Sequence, residues 1–255
     1  MNSRMFAYMH IKSFLQKGEF HPVFCEDFLF HTNLRDEFYV ASVMDGCSMG
    51  KDSHFASSLF AKVLRKVVKE LGYKEFFGEL AAFEEWDLGE LGKYILQNLW
   101  EELRLLKSQL HLDQLELLTT LLLALVDVKR KQVYLIVIGD GFFVAEGKIT
   151  ELDQDNRPDY LAYHLSKDFE SWYPTQKYLY FLEDIDELII ATDGIGSFEK
   201  LDKSKRDFQE TPEAYLLLDK EFADLPKGFD KKIEKLKADY GLIATDDVGI
   251  IEMKW

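Results

Sequence analysis

Three nearly continuous apolar runs in this chain each break off at an aspartate followed by a glycine. Phe38–Met44 ends in Asp45-Gly46, Val133–Ile138 passes through Gly139 into Asp140-Gly141, and Leu188–Ala191 passes through Thr192 into Asp193-Gly194. Apolar runs without polar alternation predict strands covered on both faces, so the chain has to supply a layer on each side of them. One Asp-Gly after a strand is a turn. The same ending met repeatedly places carboxylates at the ends of several buried strands, where they can meet at one rim of a sheet. Two further acidic pairs fit this placement: Asp246-Asp247 just before a last apolar run, Val248–Met253, and Glu26-Asp27 within the candidate strand Phe24–Phe30.

The rest of the pattern sets the architecture. Thr119–Val126 and Val133–Ile138 flank the charged turn Lys129-Arg130-Lys131, which predicts a hairpin, and Lys177–Leu182 is a further strand candidate. Ala56, Leu59, Phe60, Val63, Leu64, Val67 and Leu71 repeat at helical spacing and reach Gly72, which predicts a stop there. Ile95, Leu99, Leu103, Leu106 and Leu110 make a second helical stripe. Thr211-Pro212-Glu213 reads as a capped helix start, and Phe229, Ile233, Leu236 and Tyr240 run into Gly241 as a glycine-capped end. Two helices in succession followed by a strand hairpin do not alternate as a parallel doubly wound sheet does. The order predicts an α+β sandwich of antiparallel sheets. The 255 residues show no Pro/Gly/Ser-rich linker and no repeat, so residues 1–255 are expected to form a single domain.

Charge bears on the partners. Lys and Arg total 31 against 46 Asp and Glu, a formal net charge of −15. Such a chain repels nucleic acid and anionic membranes unless it carries a basic patch, and Lys129-Arg130-Lys131 and Lys203-Ser204-Lys205-Arg206 are too short to reverse the balance. This weighs against a two-metal nuclease. The longest apolar run, Leu117–Val126, falls well short of the roughly 20 residues of a membrane span. No signal peptide is legible in Met1–Phe20, and two cysteines, Cys25 and Cys47, make no disulfide framework, so a cytoplasmic location is expected. His10, His31, His111 and His164 have no partner at metal-ligand spacing.

Most of the negative charge is solvated surface. The strand-end carboxylates are a different matter: gathered together, they must be neutralised by protonation or by a cation. Oxygen ligands select hard ions such as Mg²⁺ or Mn²⁺, and two such ions activate water for phosphoryl transfer.

The order Glu26-Asp27, Asp45-Gly46, Thr119-Thr120, Gly139-Asp140, Ala191-Thr192-Asp193-Gly194, Asp246-Asp247 resembles the PP2C (PPM) metal-dependent serine/threonine protein phosphatases, as a divergent bacterial-type member. Ala56-Ser57 after the Asp-Gly loop is similar to the family's Ala-Ser, and Asp155-Asn156-Arg157-Pro158 to its Asp-His-Lys-Pro. The resemblance implies a four-layer α/β/β/α sandwich, two antiparallel sheets flanked by helices, with a binuclear Mn²⁺ or Mg²⁺ centre. It implies that Asp45 bridges both ions, that the Gly46 carbonyl, Glu26, Asp193 and Asp246 are further ligands, and that Asp27 holds water at the centre. It implies in-line attack by water on a phosphorylated protein, and a variable flap between Asp193 and Asp246.

Four departures accompany it. The family's phosphate-holding Arg position is Pro22 here, with His21 beside it as a substitute that works only when protonated. The usual Gly-Gly after Asp-Gly is replaced by Cys47-Ser48-Met49-Gly50, and Cys47 stands where some members have a candidate general-acid His. Gly-Asp-Ser is Gly139-Asp140-Gly141, which makes Asp140 a structural or outer residue. Both cysteines fall beside predicted ligands; they read first as packed, reduced thiols, and the sharper alternative is that oxidation of one disturbs metal binding. Pro22 and the altered loop also leave open a catalytically weak PP2C-like module that binds phosphoproteins or regulates.

Overall fold

The computed structural model describes residues 9–35, 37–154 and 158–255. Among these the strands are β1 His10–Gln16, β2 Phe28–Arg35, β3 Phe38–Met44, β4 Leu121–Asp127, β5 Gln132–Ile138, β6 Gly141–Ala145, β7 Lys148–Leu152, β8 Leu179–Leu182, β9 Glu187–Ala191, β10 Phe198–Lys200, β11 Leu242–Ala244 and β12 Val248–Lys254. The helices are α1 Ser53–Phe76, α2 Leu88–Gln109, α3 Phe169–Trp172, α4 Pro212–Leu217 and α5 Gly228–Tyr240. The strands make one sheet in the order β2-β3-β4-β5-β8, a second in the order β1-β12-β9-β6-β7, and a small ribbon of β10 and β11. Every pairing is antiparallel.

Side chains alternate between the two faces of a strand, and here both faces are dry. On β3 and β4, Val40, Met44, Leu123 and Leu125 turn toward α1 and α2, while Ala41, Val43, Leu122 and Ala124 turn into the space between the sheets. On the second sheet, Phe143, Leu188, Ile190 and Ile251 face inward, and Phe142, Val144, Ile189 and Ile250 pack under α4 and α5. The continuous apolar runs are thus the middle layers of an α/β/β/α sandwich.

Trp100 and Trp172 are buried together under the first sheet's helices, with ring centroids 4.6 Å apart. In the second helical layer, the buried Lys232 ammonium donates to the carbonyls of Tyr215 (2.8 Å), Leu216 (2.9 Å) and Asp219 (2.6 Å), which ties α5 to the end of α4. The stretch expected as a flap therefore includes packed helices, and within it residues 201–211 are mostly exposed.

Two local expectations are corrected. α1 does not stop at Gly72 but runs four residues further; a Cβ at Gly72 would stand 3.4 Å from the Leu34 carbonyl, so this glycine lets helix and strand approach. The stop is made by Gly78, which takes the left-handed conformation (φ +73°) that a helix end requires. The first strand of the first sheet begins at Phe28 rather than at Phe24, because Glu26 is held by side-chain and loop partners instead of a ladder. β1 and the hairpin β6–β7 have no counterpart in the sequence reading. Among the described residues no helix is long and apolar enough to cross a membrane.

Candidate active site

The two sheets bring the ends of β3, β9 and β12 toward one another. Asp45 leaves β3, and its backbone is fixed from β4's side: its carbonyl accepts from Thr120 N–H (2.8 Å) and the Thr119 hydroxyl (2.8 Å), and its N–H donates to Thr120 Oγ1 (3.0 Å). Gly46 pairs with Thr119 and donates its N–H to the Glu26 carbonyl at 3.2 Å. The same carbonyl accepts from the buried Ser57 hydroxyl on α1 at 2.5 Å. A Cβ at Gly46 would collide with the Ser53 carbonyl, so only glycine lets the helix start, the Glu26 segment and the Asp45 loop meet here.

Asp27 is buried directly behind. It accepts from Thr192 Oγ1 at 2.6 Å, and its carboxyl lies beside that of Asp45. Thr192 in turn accepts from Gly249 N–H at 2.8 Å, which links the end of β9 to β12. Gly194, after Asp193, lies against the Asp247 carbonyl so closely that a Cβ would overlap it.

Asp247 is buried and receives three partners: Gly18 N–H at 2.7 Å, Glu26 N–H, and the His21 ring with Nδ1 2.9 Å from Oδ2. That ring contact is a charge pairing rather than an aligned hydrogen bond. The other ring nitrogen, Nε2, stands 3.2 Å from Asp246 Oδ1.

Electrostatics mark the same group. Burial first, then the charges of Asp27, Asp193 and Asp246, holds the Asp45 carboxyl well above its usual range. Burial likewise raises Asp27, with Asp247 and Asp193 adding to the effect against the hydrogen bond from Thr192. Asp193 is pushed up to about 7 by burial and by Asp140 and Asp246. Burial also raises Asp246. Burial pulls His21 down, but Asp247, Asp246 and Glu26 outweigh it, and the net direction is up. Unless a cation offsets their charge, these carboxyl groups favour protons.

The donor chemistry fits hard divalent cations. Glu26 Oε2 is buried with no hydrogen-bond partner, a costly state for a carboxylate oxygen that a cation would relieve. Among the described residues, no three or more His, Cys, Asp or Glu side chains are grouped as a ready-made ion cage.

Several neighbours carry no signal in the sequence. Asp247 is the buried hub, and nothing in an Asp-Asp pair says which member turns inward. The Phe24 ring stacks on His54 at 4.2 Å between centroids, at the start of α1. The Tyr160 hydroxyl faces the Cys47 thiol. Burial, then Asp247 and Asp27, pushes the Cys25 thiol up and away from the reactive thiolate. Asp140 sits between two positive-φ glycines, is raised by burial, and meets the group through its charge on Asp193. Asp155, Asn156 and Arg157 lie outside the described residues.

The family model of protein phosphatase 2C matches residues 21–225. The chain belongs to the protein phosphatase 2C family. The fold agrees. The serine/threonine phosphatase Stp1 from Staphylococcus aureus superposes on this PP2C chain with a TM-score of 0.63 at 14% identity, covering 97% of this chain and 95% of that one. The PP2C phosphatase domain and regulatory fragment of SpoIIE from Bacillus subtilis gives 0.56 at 15% identity, covering 97% of this chain and 63% of that chain, so this PP2C chain spans less than two thirds of it. RsbX in complex with magnesium gives 0.53 at 14% identity, covering 96% and 94%. At these identities the likeness is one of fold. No curated protein sequence matches the chain.

Proposed function

We propose that this PP2C chain, read as a single domain over residues 1–255, is a metal-dependent phosphomonoester hydrolase acting on phosphoserine or phosphothreonine in proteins. The observation that carries this reading is the carboxylate group on a PP2C fold: buried Asp27 with the part-buried Asp45 and Asp193, all raised by desolvation and by neighbouring acids, beside an unpartnered Glu26 Oε2. Glu26, Asp45, the Gly46 carbonyl, Asp193 and Asp246 would hold two Mn²⁺ or Mg²⁺ ions. Divalent cations bound there would supply Lewis acidity, lowering the pKa of water and offsetting phosphoryl charge.

The chain's own residues do the rest. Thr119, Thr120 and Ser57 fix the Asp45 and Glu26 backbones so that the carboxylates need no reorganisation. Asp27, held by Thr192, is the group placed to accept a proton from water at the site. His21 holds Asp246 and Asp247 in place from the solvent side. The expected partner is a phosphorylated protein. Two unpaired cysteines support a reducing, cytoplasmic setting.

The test is Mn²⁺-dependent hydrolysis of p-nitrophenyl phosphate and of a phosphoserine peptide by the wild-type chain, with loss of both in Asp45→Asn and Asp193→Asn. Wild-type activity in either variant overturns the assignment. One observation favours a second reading, a catalytically weak phosphoprotein-binding module: His21 is engaged with two aspartates, and Pro22 offers no charge to a phosphate. Tight Mn²⁺ binding without turnover of either substrate would establish it.

A further inference from the structure

Away from the carboxylates, a groove of about 1040 Å³ runs along the last turns of α2 and faces the segment around Leu165. Its lining carries more cations than acids. Arg104 and Lys107 lie three residues apart on one face of α2, and His111 joins them from the left-handed turn just past the helix end (φ +54°), against a single acid, Glu101. Elsewhere many basic side chains are spent on carboxylates: Lys66 on Glu102, Lys93 on Glu170, Lys131 on Asp186 and Lys235 on Glu221.

Among the described residues, Arg104 and His111 have no side-chain hydrogen bond or ion pair, and Lys107 acts on Asp113 only at longer range. The dipole of α2 accounts for a cation in the last turn, such as Lys107, but not for Arg104 a turn earlier. Between the cations lie apolar side chains: Leu105, half exposed at 50%, with Leu112 and the buried Leu165 beneath.

Both walls of the groove lead to the candidate site. On the helix side, Asp113 pairs with Lys51, whose N–H donates to the Leu115 carbonyl at 3.1 Å, and Cys47 N–H donates to the Leu118 carbonyl at 3.0 Å. On the other side, the segment that carries Leu165 begins at Tyr160, which faces Cys47. A peptide lying in the groove therefore runs alongside the loop that follows Asp45.

We propose that this groove docks an acidic segment, with apolar side chains among its carboxylates, of the phosphoprotein whose phosphoresidue the site takes. The charge complementarity selects the occupant: a cationic, apolar-floored groove attracts carboxylates on a chain whose net charge of −15 otherwise opposes them. The substrate part of this statement rests on the phosphatase reading above.

The experiment uses the full chain and a fluorescein-labelled Glu/Leu peptide without any phosphoresidue, read by fluorescence anisotropy. Wild type is expected to bind it saturably at low salt. The pair Arg104→Glu and Lys107→Glu should weaken binding by about tenfold or more, Arg104→Gln with Lys107→Gln by less, and added salt should weaken it in wild type. p-Nitrophenyl phosphate turnover should stay unchanged in both double variants, which also shows that they fold. The proposal is overturned by equal binding in the charge-reversed variant, by equal binding of the same peptide with Gln for Glu, or by a single-stranded oligonucleotide binding with the same dependence on Arg104 and Lys107. Groove binding without p-nitrophenyl phosphate turnover in wild type sinks the phosphatase reading and leaves the docking surface standing.

Discussion

The buried Asp27 carboxyl stands beside Asp45 at the end of β3, two segments that meet only through the fold, and desolvation holds both carboxyl groups well above the usual carboxylate range. Neighbouring carboxyl groups held that high favour a proton on the pair when no cation is bound. A cation that takes Asp45 as a ligand must displace it. Mn²⁺ titrated by calorimetry near neutral pH, in two buffers of different ionisation enthalpy, is expected to release about one proton per chain or more. Binding with the same heat in both buffers would contradict a proton on the pair.

Asp193 offers a stability test whose sign follows from its neighbours. Its carboxyl titrates near 3.8 in the unfolded chain and near 7 in the fold. Between those values the folded state binds more protons than the unfolded one, so the stability of the metal-free protein falls as pH rises through that window. Asp193→Asn removes the dependence. At pH 8 in chelator the variant is expected to melt above wild type, by at most about 4 kcal/mol of stability, with the gap closing below about pH 4. The same variant should be inactive, and excess Mn²⁺ should reverse the order of melting. Identical melting of the two proteins at pH 8 would show that Asp193 is not held in an unfavourable charged state.

The sequence showed the middle of this molecule better than its edges. Phe38–Met44 is a strand at the residues its pattern predicts, because dry layers on both faces remove the polar punctuation that blurs a strand. β1 was hidden in His10-Ile11-Lys12-Ser13-Phe14-Leu15-Gln16, a mixed edge strand whose place is set by pairing with β12 at the far end of the chain. The β6–β7 hairpin turns on Glu146 and Gly147, both at positive φ, and Ala-Glu-Gly-Lys is a weaker turn signal than Asn-Gly. At the site, Asp45 and Asp193 were visible as strand-ending acids. The role of Asp247 was not, since its partners Gly18 and Glu26 lie 229 and 221 residues away.

Close approach at Gly194 is testable by adding one carbon. A Cβ there overlaps the Asp247 carbonyl, which is backbone and cannot rotate away. Gly194→Ala is expected to cost about 3 kcal/mol, near the top of the overpacking range, and to abolish activity by shifting Asp193 against Asp247. Gly147→Ala is the contrast: its Cβ meets nothing within 4 Å, and only the backbone conformation (φ +70°) is strained. It should cost about 1–2 kcal/mol and leave activity intact. Chemical denaturation and turnover of p-nitrophenyl phosphate separate the two. Equal losses of activity would mean that the Gly194 contact does not position the site.

Pro22 stands where the family resemblance places a phosphate-holding Arg, with His21 beside it, and the geometry assigns them different fates. The His21 ring is engaged by Asp246 on one nitrogen and Asp247 on the other, so its charge is already opposed. Pro22 is exposed and carries no charge. His21→Ala is therefore expected to change the Mn²⁺ concentration needed for half-maximal activity several-fold, because Asp246 loses its partner, while KM for p-nitrophenyl phosphate measured at saturating Mn²⁺ stays within about twofold. Pro22→Arg, which restores a bidentate donor, should lower that KM several-fold with little change in metal requirement. The reverse outcome for His21→Ala, a KM raised about tenfold at unchanged metal affinity, would make His21 the phosphate ligand and break its assignment to the two aspartates.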